Sequence, residues 1–249
     1  LDASIMDGRN RAAGAVAGLT RTRHPISAAR AVMERSRHVM LIGEGAESFA
    51  RAQNVEAVDP SYFFTERRWQ QLEQNLRANN LPVPQRPAGA PPAPQARLTY
   101  PDDHQFGTVG VVALDSNGNI AAGTSTGGTT GKRWGRVGDA PIIGAGTYAQ
   151  NGVCGVSATG TGEFFIRVGV ARDICARMEL RGVSAQDAAD AVIAEVGATT
   201  NTEGAVGDGG VIVLDGRGNV AWAMNTPGMY RAAQSAGGEP IVQIFADEE

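Results

Sequence analysis

Two segments of this sequence repeat one pattern, and that pattern limits the fold more than any other feature. Residues 108–124 read Thr-Val-Gly-Val-Val-Ala-Leu-Asp-Ser-Asn-Gly-Asn-Ile-Ala-Ala-Gly-Thr, and residues 208–224 read Asp-Gly-Gly-Val-Ile-Val-Leu-Asp-Gly-Arg-Gly-Asn-Val-Ala-Trp-Ala-Met. Each is an apolar strand, a Leu-Asp-x-x-Gly-Asn turn and a second strand, with Gly and Asn supplying the positive φ that tight hairpins require. Between them Phe164, Val168, Ala171, Cys175 and Met178 recur at helical spacing, which predicts one long helix with Cys175 as a packing residue. The run from Ser184 to Asp187 predicts a capping box that opens a further helix to about Val196. Strands, two helices, then strands predict sheets with helices packed on them, and leave the number of layers open.

The first half of the chain is patterned differently. Residues 1–22 predict two short strands joined by a turn at Asp7-Gly8-Arg9-Asn10. Pro25 suits a helix start, and Ile26, Ala29, Val32 and Met33 continue a helical stripe to about His38. A short strand over Val39 to Ile42 and a helix over Glu44 to Gln53 follow. From about Asn79 to Gln105 the pattern disappears, and six prolines between Leu81 and Ala96 suit a solvated, extended linker. By composition alone that linker is an interdomain spacer.

Charge and composition exclude several functions. A net charge of −4 over 249 residues is unlike the clustered Lys and Arg that nucleic acid or an anionic membrane surface selects. No apolar run approaches the roughly 18 residues needed to span a bilayer. With two cysteines, Cys154 and Cys175, no disulfide framework is required, and a reducing, cytoplasmic compartment is expected. The first residues lack the basic start and apolar core of a signal peptide, although Leu1 reads as the middle of a gene product.

Familiar motifs fail on inspection. Gly123-Thr-Ser125-Thr-Gly127 matches a hydrolase nucleophile elbow, but that fold needs a later histidine, and His24, His38 and His104 all precede Ser125. The run from Gly127 to Arg133 lacks the spacer of a phosphate loop and has Arg133 where a magnesium-binding hydroxyl belongs. Three scattered histidines without a cysteine cluster make no zinc site, so no metal is expected.

What remains is a set of threonines beside glycines: Thr108, Thr126 and Thr159. Each on its own is an ordinary strand or turn hydroxyl. An N-terminal threonine is different, because its α-amine titrates at about 7.7–8.0 and can take the hydroxyl proton without histidine. Scission of the Gly107–Thr108 bond would create that amine. Arg136 and Asp139 together can grip the carboxylate and ammonium of an amino acid, or form a surface ion pair of little consequence. The run Ala158-Thr159-Gly160-Thr161-Gly162-Glu163 leads into the predicted long helix, where free N–H groups can stabilise an oxyanion or serve as a simple cap.

Together, Gly107-Thr108-Val-Gly, Thr124-Ser-Thr126-Gly-Gly, Gly135-Arg136-Val-Gly-Asp139-Ala-Pro, Gly144-Ala-Gly and Ala158-Thr-Gly-Thr-Gly162 closely resemble the plant-type (type III) L-asparaginases and isoaspartyl peptidases, which are N-terminal-nucleophile hydrolases. The likeness extends to the opening strand, Ala13 to Gly18, Val39 to Ala46, and Asn225 to Tyr230. It implies an α+β fold, a four-layer αββα sandwich that cleaves itself into an α part (1–107) and a β part (108–249), commonly assembled as (αβ)₂. By the same resemblance Thr108 is the nucleophile, Thr126 hydrogen-bonds its surroundings, and the Thr159 hydroxyl with the Gly160 N–H forms an oxyanion hole. Arg136 is expected to hold the substrate α-carboxylate, and Asp139 with the Gly162 carbonyl its α-ammonium. The implied substrates are L-asparagine and β-aspartyl dipeptides, with no cofactor.

Glycosylasparaginase, a relative within that superfamily, has Asp before its nucleophile and Thr-Gly-Asn-Gly-Asp in the later loop. Here the residues are Gly107 and Thr159-Gly-Thr-Gly-Glu163, which favours the isoaspartyl peptidase branch. A threonine aspartase and an unprocessed, non-catalytic relative are the remaining alternatives. The family's His-Gly-Gly-Ala-Gly strand, its Asn-Ala-Gly-x-Gly segment and a sodium-binding loop would all precede Leu1.

Overall fold

In a computed structural model, which describes residues 1–92 and 107–248, the two repeated segments form hairpins with the same turn chemistry. Strands β4 (Val109–Leu114) and β5 (Ile120–Thr126) make the first, β8 (Gly209–Asp215) and β9 (Val220–Met224) the second. In the first turn Asp115 Oδ1 accepts from the backbone N–H of Asn117 and Asn119, both at 2.8 Å. In the second, Asp215 Oδ1 accepts from Arg217 at 2.8 Å and Asn219 at 2.9 Å. The Asn side chain that ends each motif returns a bond to the other carboxylate oxygen, at 2.9 and 2.8 Å. The Leu-Asp-x-x-Gly-Asn motif is therefore a self-contained clamp that needs no tertiary partner.

The hairpins lie in different sheets. Strand β1 (Asp2–Asp7) pairs antiparallel with β2 (Ala13–Ala17) on one side and with β5 on the other. With the short β3 (Met40–Ile42) this gives a five-stranded sheet of order β3-β2-β1-β5-β4. The second sheet runs β6-β7-β8-β9, where β6 is Thr147–Gln150 and β7 is Cys154–Gly160. A separate two-stranded ribbon joins β10 (Gly228–Ala233) to β11 (Ile241–Phe245).

Helix α1 (Pro25–Arg35) packs on β1 and β2, burying Ala28, Ala29 and Val32 against Ala3, Val16 and Leu19. Helix α2 (Gly43–Ala52) lies beside β2 and β3. Helices α5 (Val170–Arg181) and α6 (Ala185–Ala198) cover the second sheet through Ile174, Cys175, Val192 and Val196. Strands β4 and β5 in turn contact β7, so the two sheets face one another. Mixed sheets with helices packed on them match the sequence expectation.

Four findings differ from or add to the sequence reading. The expected single long helix is two, because Gly169 adopts φ 70° and ends α4 (Gly162–Val168) before α5 begins. Its apolar stripe still holds, since Phe164, Ala171 and Cys175 are all buried. Cys154 on β7 and Cys175 on α5 are joined in a disulfide with Cα atoms 5.7 Å apart, so the two cysteines are not the independent thiols that composition implied. Helix α3 (Glu66–Ala78) was not foreseen; Thr65 caps it, and Trp69 and Leu76 bury its inner face. Finally, the start of the Pro-rich linker is tied down. Arg86 pairs with Glu66, lies 4.7 Å from the Phe64 ring centre, and donates to the Pro91 carbonyl at 2.8 Å. The remainder of the expected linker, 93–105, lies outside the described residues.

No helix among the described residues is long and apolar enough to cross a membrane. Because one carboxylate closes each hairpin turn, Asp215→Ala is expected to destabilise the protein by about 1–3 kcal/mol, read as a lower urea midpoint at unchanged m-value.

Candidate active site

The register of β4 on β5 sets the first pair of functional hydroxyls. Val109 opposes Ser125, so Thr108, one residue earlier, falls opposite Thr126. Thr108 Oγ1 donates to Thr126 Oγ1 at 3.1 Å. Thr126 Oγ1 also accepts the Gly128 N–H at 3.0 Å, so two donors converge on it. Thr126 is buried, whereas Thr108 is half-buried at the mouth of a cavity of about 680 Å³.

Thr159 and Gly160 line the same cavity from the end of β7 in the opposite sheet. The sequence-predicted nucleophile and oxyanion pair thus come together across the gap between sheets. Thr161, next along the chain, is held by its backbone N–H to the Asp208 carbonyl at 2.9 Å and by its hydroxyl to the Asp208 carboxylate. These bonds fix the direction in which the chain leaves β7.

Arg136, Asp139 and Gly162 form a second group. Arg136 donates two parallel bonds to Glu163, Nε to Oε1 at 2.8 Å and Nη2 to Oε2 at 2.6 Å. That fork holds the Glu163 carboxyl below its usual range and raises Arg136 further. Gly162 abuts Asp139. Asp139 itself is buried, and its Oδ2 has no hydrogen-bond partner among the described residues. Burial pushes its carboxyl up to about 6, against the opposing charge of Arg136. A buried carboxylate oxygen without a donor is costly, and it is the natural seat for a cation brought in from outside. None of these three residues lines the cavity that Thr108 opens into.

Behind the reacting groups lies a chain of buried hydroxyls that sequence reasoning missed. Ser4 donates to Thr147 at 2.8 Å, Thr147 to Thr124 at 2.6 Å, and Thr124 meets Ser157 at 2.6 Å. Thr124 is two residues before Thr126, and Ser157 two before Thr159, so each faces the same side of its strand. Gly110, two residues after Thr108, completes the arrangement: a Cβ there would lie 1.8 Å from Ser157 Oγ. Only glycine allows β4 to approach β7 this closely. The alternation Thr-x-Thr on β5 and Ser-x-Thr on β7 was the available sequence signal. Also missed were Glu163 as the partner of Arg136, and the salt bridge from Lys132 Nζ to buried Asp2 at 2.9 Å. Among the described residues no group of three or more His, Cys, Asp or Glu side chains could hold a metal ion.

Comparison with known proteins finds a match to the family described as Asparaginase over residues 1–244. An isoaspartyl peptidase of Escherichia coli (strain K12) is 46% identical over 248 residues, which is 100% of this chain and 73% of that protein. An isoaspartyl peptidase of Salmonella typhimurium is 47% identical over 99% of this chain and 74% of its own length. A plant-type L-asparaginase of Pyrococcus abyssi is 40% identical over 95% of this chain and 73% of its own.

The hydroxyl chain yields a test that separates bonding from shape. Thr124→Val keeps the volume but strands the Thr147 and Ser157 hydroxyls, and is expected to cost about 1–3 kcal/mol by chemical denaturation. Thr124→Ser, which keeps the oxygen, should cost no more than the loss of one buried methyl, about 1 kcal/mol.

Proposed function

The chain belongs to the asparaginase family, and from that premise we propose that it is a self-cleaving amidohydrolase acting on β-aspartyl peptides and L-asparagine. Its relatives are named isoaspartyl peptidase and plant-type L-asparaginase, which supports this substrate class. The observation that carries the reading is the hydroxyl of Thr108, bonded to Thr126 and opening into the cavity that Thr159 and Gly160 share.

Maturation comes first. In the uncut chain the Thr108 nitrogen is an amide and has no basic lone pair. Attack of Thr108 Oγ1 on the Gly107 carbonyl would shift the acyl group from nitrogen to oxygen, and water would then hydrolyse the ester. The products are a Gly107 carboxylate and a Thr108 α-amine that titrates at about 7.7–8.0. Residues 1–107 become the α part and 108–249 the β part.

Turnover then uses the new amine. Thr108 Oγ1 adds to the side-chain carbonyl of the aspartyl substrate while its proton passes to the α-amine. The Thr159 hydroxyl and the Gly160 N–H stabilise the oxyanion of the tetrahedral intermediate. Collapse expels ammonia or a peptide amine, which leaves with the proton, and a β-aspartyl ester remains on Thr108. Water, deprotonated by the same amine, cleaves the ester, releases L-aspartate and restores the hydroxyl. Arg136 receives the substrate α-carboxylate, and Asp139 Oδ2 with the Gly162 carbonyl receives its α-ammonium. Nucleophile, base and oxyanion donors all come from the chain, so no step of the proposed reaction draws on a cofactor.

The contacts of α1 and α2 with the first sheet, of α5 and α6 with the second, and of the sheets with each other support a four-layer αββα arrangement. An (αβ)₂ assembly is part of this reading, and size-exclusion chromatography with light scattering on the cut protein reports it.

Thr108→Ala is expected to abolish both scission and release of aspartate, whereas Thr108→Ser should retain some of each, followed by intact-mass spectrometry and an ammonia assay. Wild-type turnover in the alanine variant would remove Thr108 from the mechanism.

Asp139 gives a pH signature. Its folded pKa of about 6 lies above the ordinary 3.8, so the ionised form is the disfavoured one in the fold. The stability penalty is absent below pH ~4, grows as the group ionises and is full above pH ~6, amounting to roughly 3 kcal/mol. Asp139→Asn should therefore raise the melting temperature at pH 7 while sharply raising KM. In the wild type, KM for asparagine should climb as pH falls through about 6, because the protonated acid no longer pairs with the substrate ammonium.

A further inference from the structure

Thr161 is the single residue between Gly160 and Gly162, to which the proposed reaction gives different parts of one substrate. Gly160 presents its N–H to the reacting carbonyl, and Gly162 presents its carbonyl to the α-ammonium. The spacing of those two seats must match the spacing of carbonyl and ammonium in the substrate. Whatever fixes Thr161 therefore fixes that spacing.

Thr161 is fixed by a partner outside its own strand and helix. It stands at the N-cap of α4, where a threonine hydroxyl ordinarily accepts an N–H of the first turn. Here the hydroxyl donates to the Asp208 carboxylate instead. The Thr161 N–H donates to the Asp208 carbonyl at 2.9 Å, so one residue is gripped twice, through backbone and side chain, by one partner. Asp208 is itself bracketed by Asn225. The Asn225 side chain accepts the Gly209 N–H at 2.8 Å and donates to the Gly207 carbonyl at 2.9 Å, holding the residues on either side. The strands cannot slide at this point: Gly160 pairs with Gly209, and a Cβ on Gly160 would lie 2.3 Å from the Asp208 carbonyl oxygen. Gly162 is wedged in turn, since a Cβ there would lie 2.8 Å from the Asp139 nitrogen. Backbone contact holds each seat, and the Thr161–Asp208 pair ties the turn between them.

On the proposed activity, which this inference presupposes, the geometry points to Asp208 and Thr161 as a positioning pair that sets the length of substrate the site accepts. The pair holds the Gly160 N–H and the Gly162 carbonyl at the separation of an aspartyl group, and so disfavours the glutamyl homologue, one methylene longer. Neither residue lines the cavity that Thr108 opens into, and both act through their neighbours.

The test compares β-aspartyl p-nitroanilide with γ-glutamyl p-nitroanilide, which share a leaving group and differ by that methylene, on protein that intact-mass spectrometry shows to be fully cleaved. Wild type should favour the aspartyl compound by at least about tenfold in kcat/KM, the low end of what one methylene is worth in a fitted site. Asp208→Ala and Thr161→Val each remove one end of the tie. Each should shrink that ratio by about fivefold, the size of one hydrogen bond, with KM for the aspartyl compound rising. The double variant should do no more than either single one, because both break the same bond. Asp208→Asn, which keeps an acceptor oxygen, should stay within about twofold of wild type. A merely structural role would lower both rates together and leave the ratio unmoved. A ratio unchanged in both single variants, or a wild type without preference, would overturn the inference while leaving the amidohydrolase reading intact. No turnover of either compound by fully cleaved wild type would instead remove that reading and the role of the pair with it. If Asp208→Ala does not cleave, Thr161→Val, which exchanges only a hydroxyl for a methyl, decides by the same ratio.

Discussion

The contact that governs this structure is the one between Thr124 and Ser157, two hydroxyls 2.6 Å apart that belong to opposite sheets. Facing sheets usually meet through interdigitated apolar side chains about 10 Å apart, and such contacts tolerate small slides. A buried hydroxyl pair does not, because a shift of an ångström breaks the bond in a place where water cannot replace it. The chain from Ser4 through Thr147 and Thr124 to Ser157 ties β1, β6, β5 and β7 at one level of the fold. Gly110 on β4 is held to the same level, since its missing side chain is what lets Ser157 in. One strand repeat further out, on these strands, are Thr108, Thr126 and Thr159. The separation of Thr108 from Thr159 and Gly160, the nucleophile and oxyanion donors of the proposed reaction, is therefore set by a polar contact between the sheets.

Charge is distributed in the opposite spirit. The Arg136–Glu163 fork satisfies both partners, yet it uses only Nε and Nη2 of the guanidinium. Nη1 stays outside that pair, and on the proposed reading it is the group left for the substrate carboxylate. Asp139, by contrast, is left with an uncompensated oxygen and a carboxyl raised to about 6. Burial disfavours the ionised form at this residue, and on the proposed reading the substrate ammonium would offset that cost. Such a group discriminates strongly against ligands that lack an ammonium, since they would bury beside an unpaired acid.

How much of this could be read beforehand depended on whether the cause was local. The two Leu-Asp-x-x-Gly-Asn turns were legible because Asp115 and Asp215 complete their own hydrogen bonding within the motif. The α6 cap at Ser184 was legible for the same reason, with Ser184 Oγ accepting from Asp187 N at 3.0 Å. The helix stripe from Phe164 to Met178 was read correctly as a core face, but the break at Gly169 was not, since one glycine costs a helix only about 1 kcal/mol and does not announce an interruption. The Cys154–Cys175 disulfide depends on α5 folding back across β7, which no spacing reveals. Within the site, threonines and glycines at 107–108, 126 and 159–162 carried a family resemblance, but the hydroxyl chain joins residues up to 143 positions apart. Its members looked like ordinary strand hydroxyls because each is one until the sheets close.

The order of events at Thr108 follows from what is present before and after scission. The hydroxyl pair with Thr126, the cavity and the inter-sheet hydroxyl chain all exist in the uncut chain. The base does not, because an amide nitrogen has no basic lone pair and cannot accept a further proton at neutral pH. Self-cleavage and turnover would then share a nucleophile and an oxyanion site but differ in what receives the hydroxyl proton. Thr126 Oγ1 accepts a hydrogen bond from the Thr108 hydroxyl and a second from the Gly128 N–H, so it would be only a weak acceptor for the proton in the first reaction. On the proposed reading, a slow first step limited by this weak acceptor, followed by faster turnover once the amine is free, would be the kinetic consequence of building a catalytic base out of the chain's own backbone.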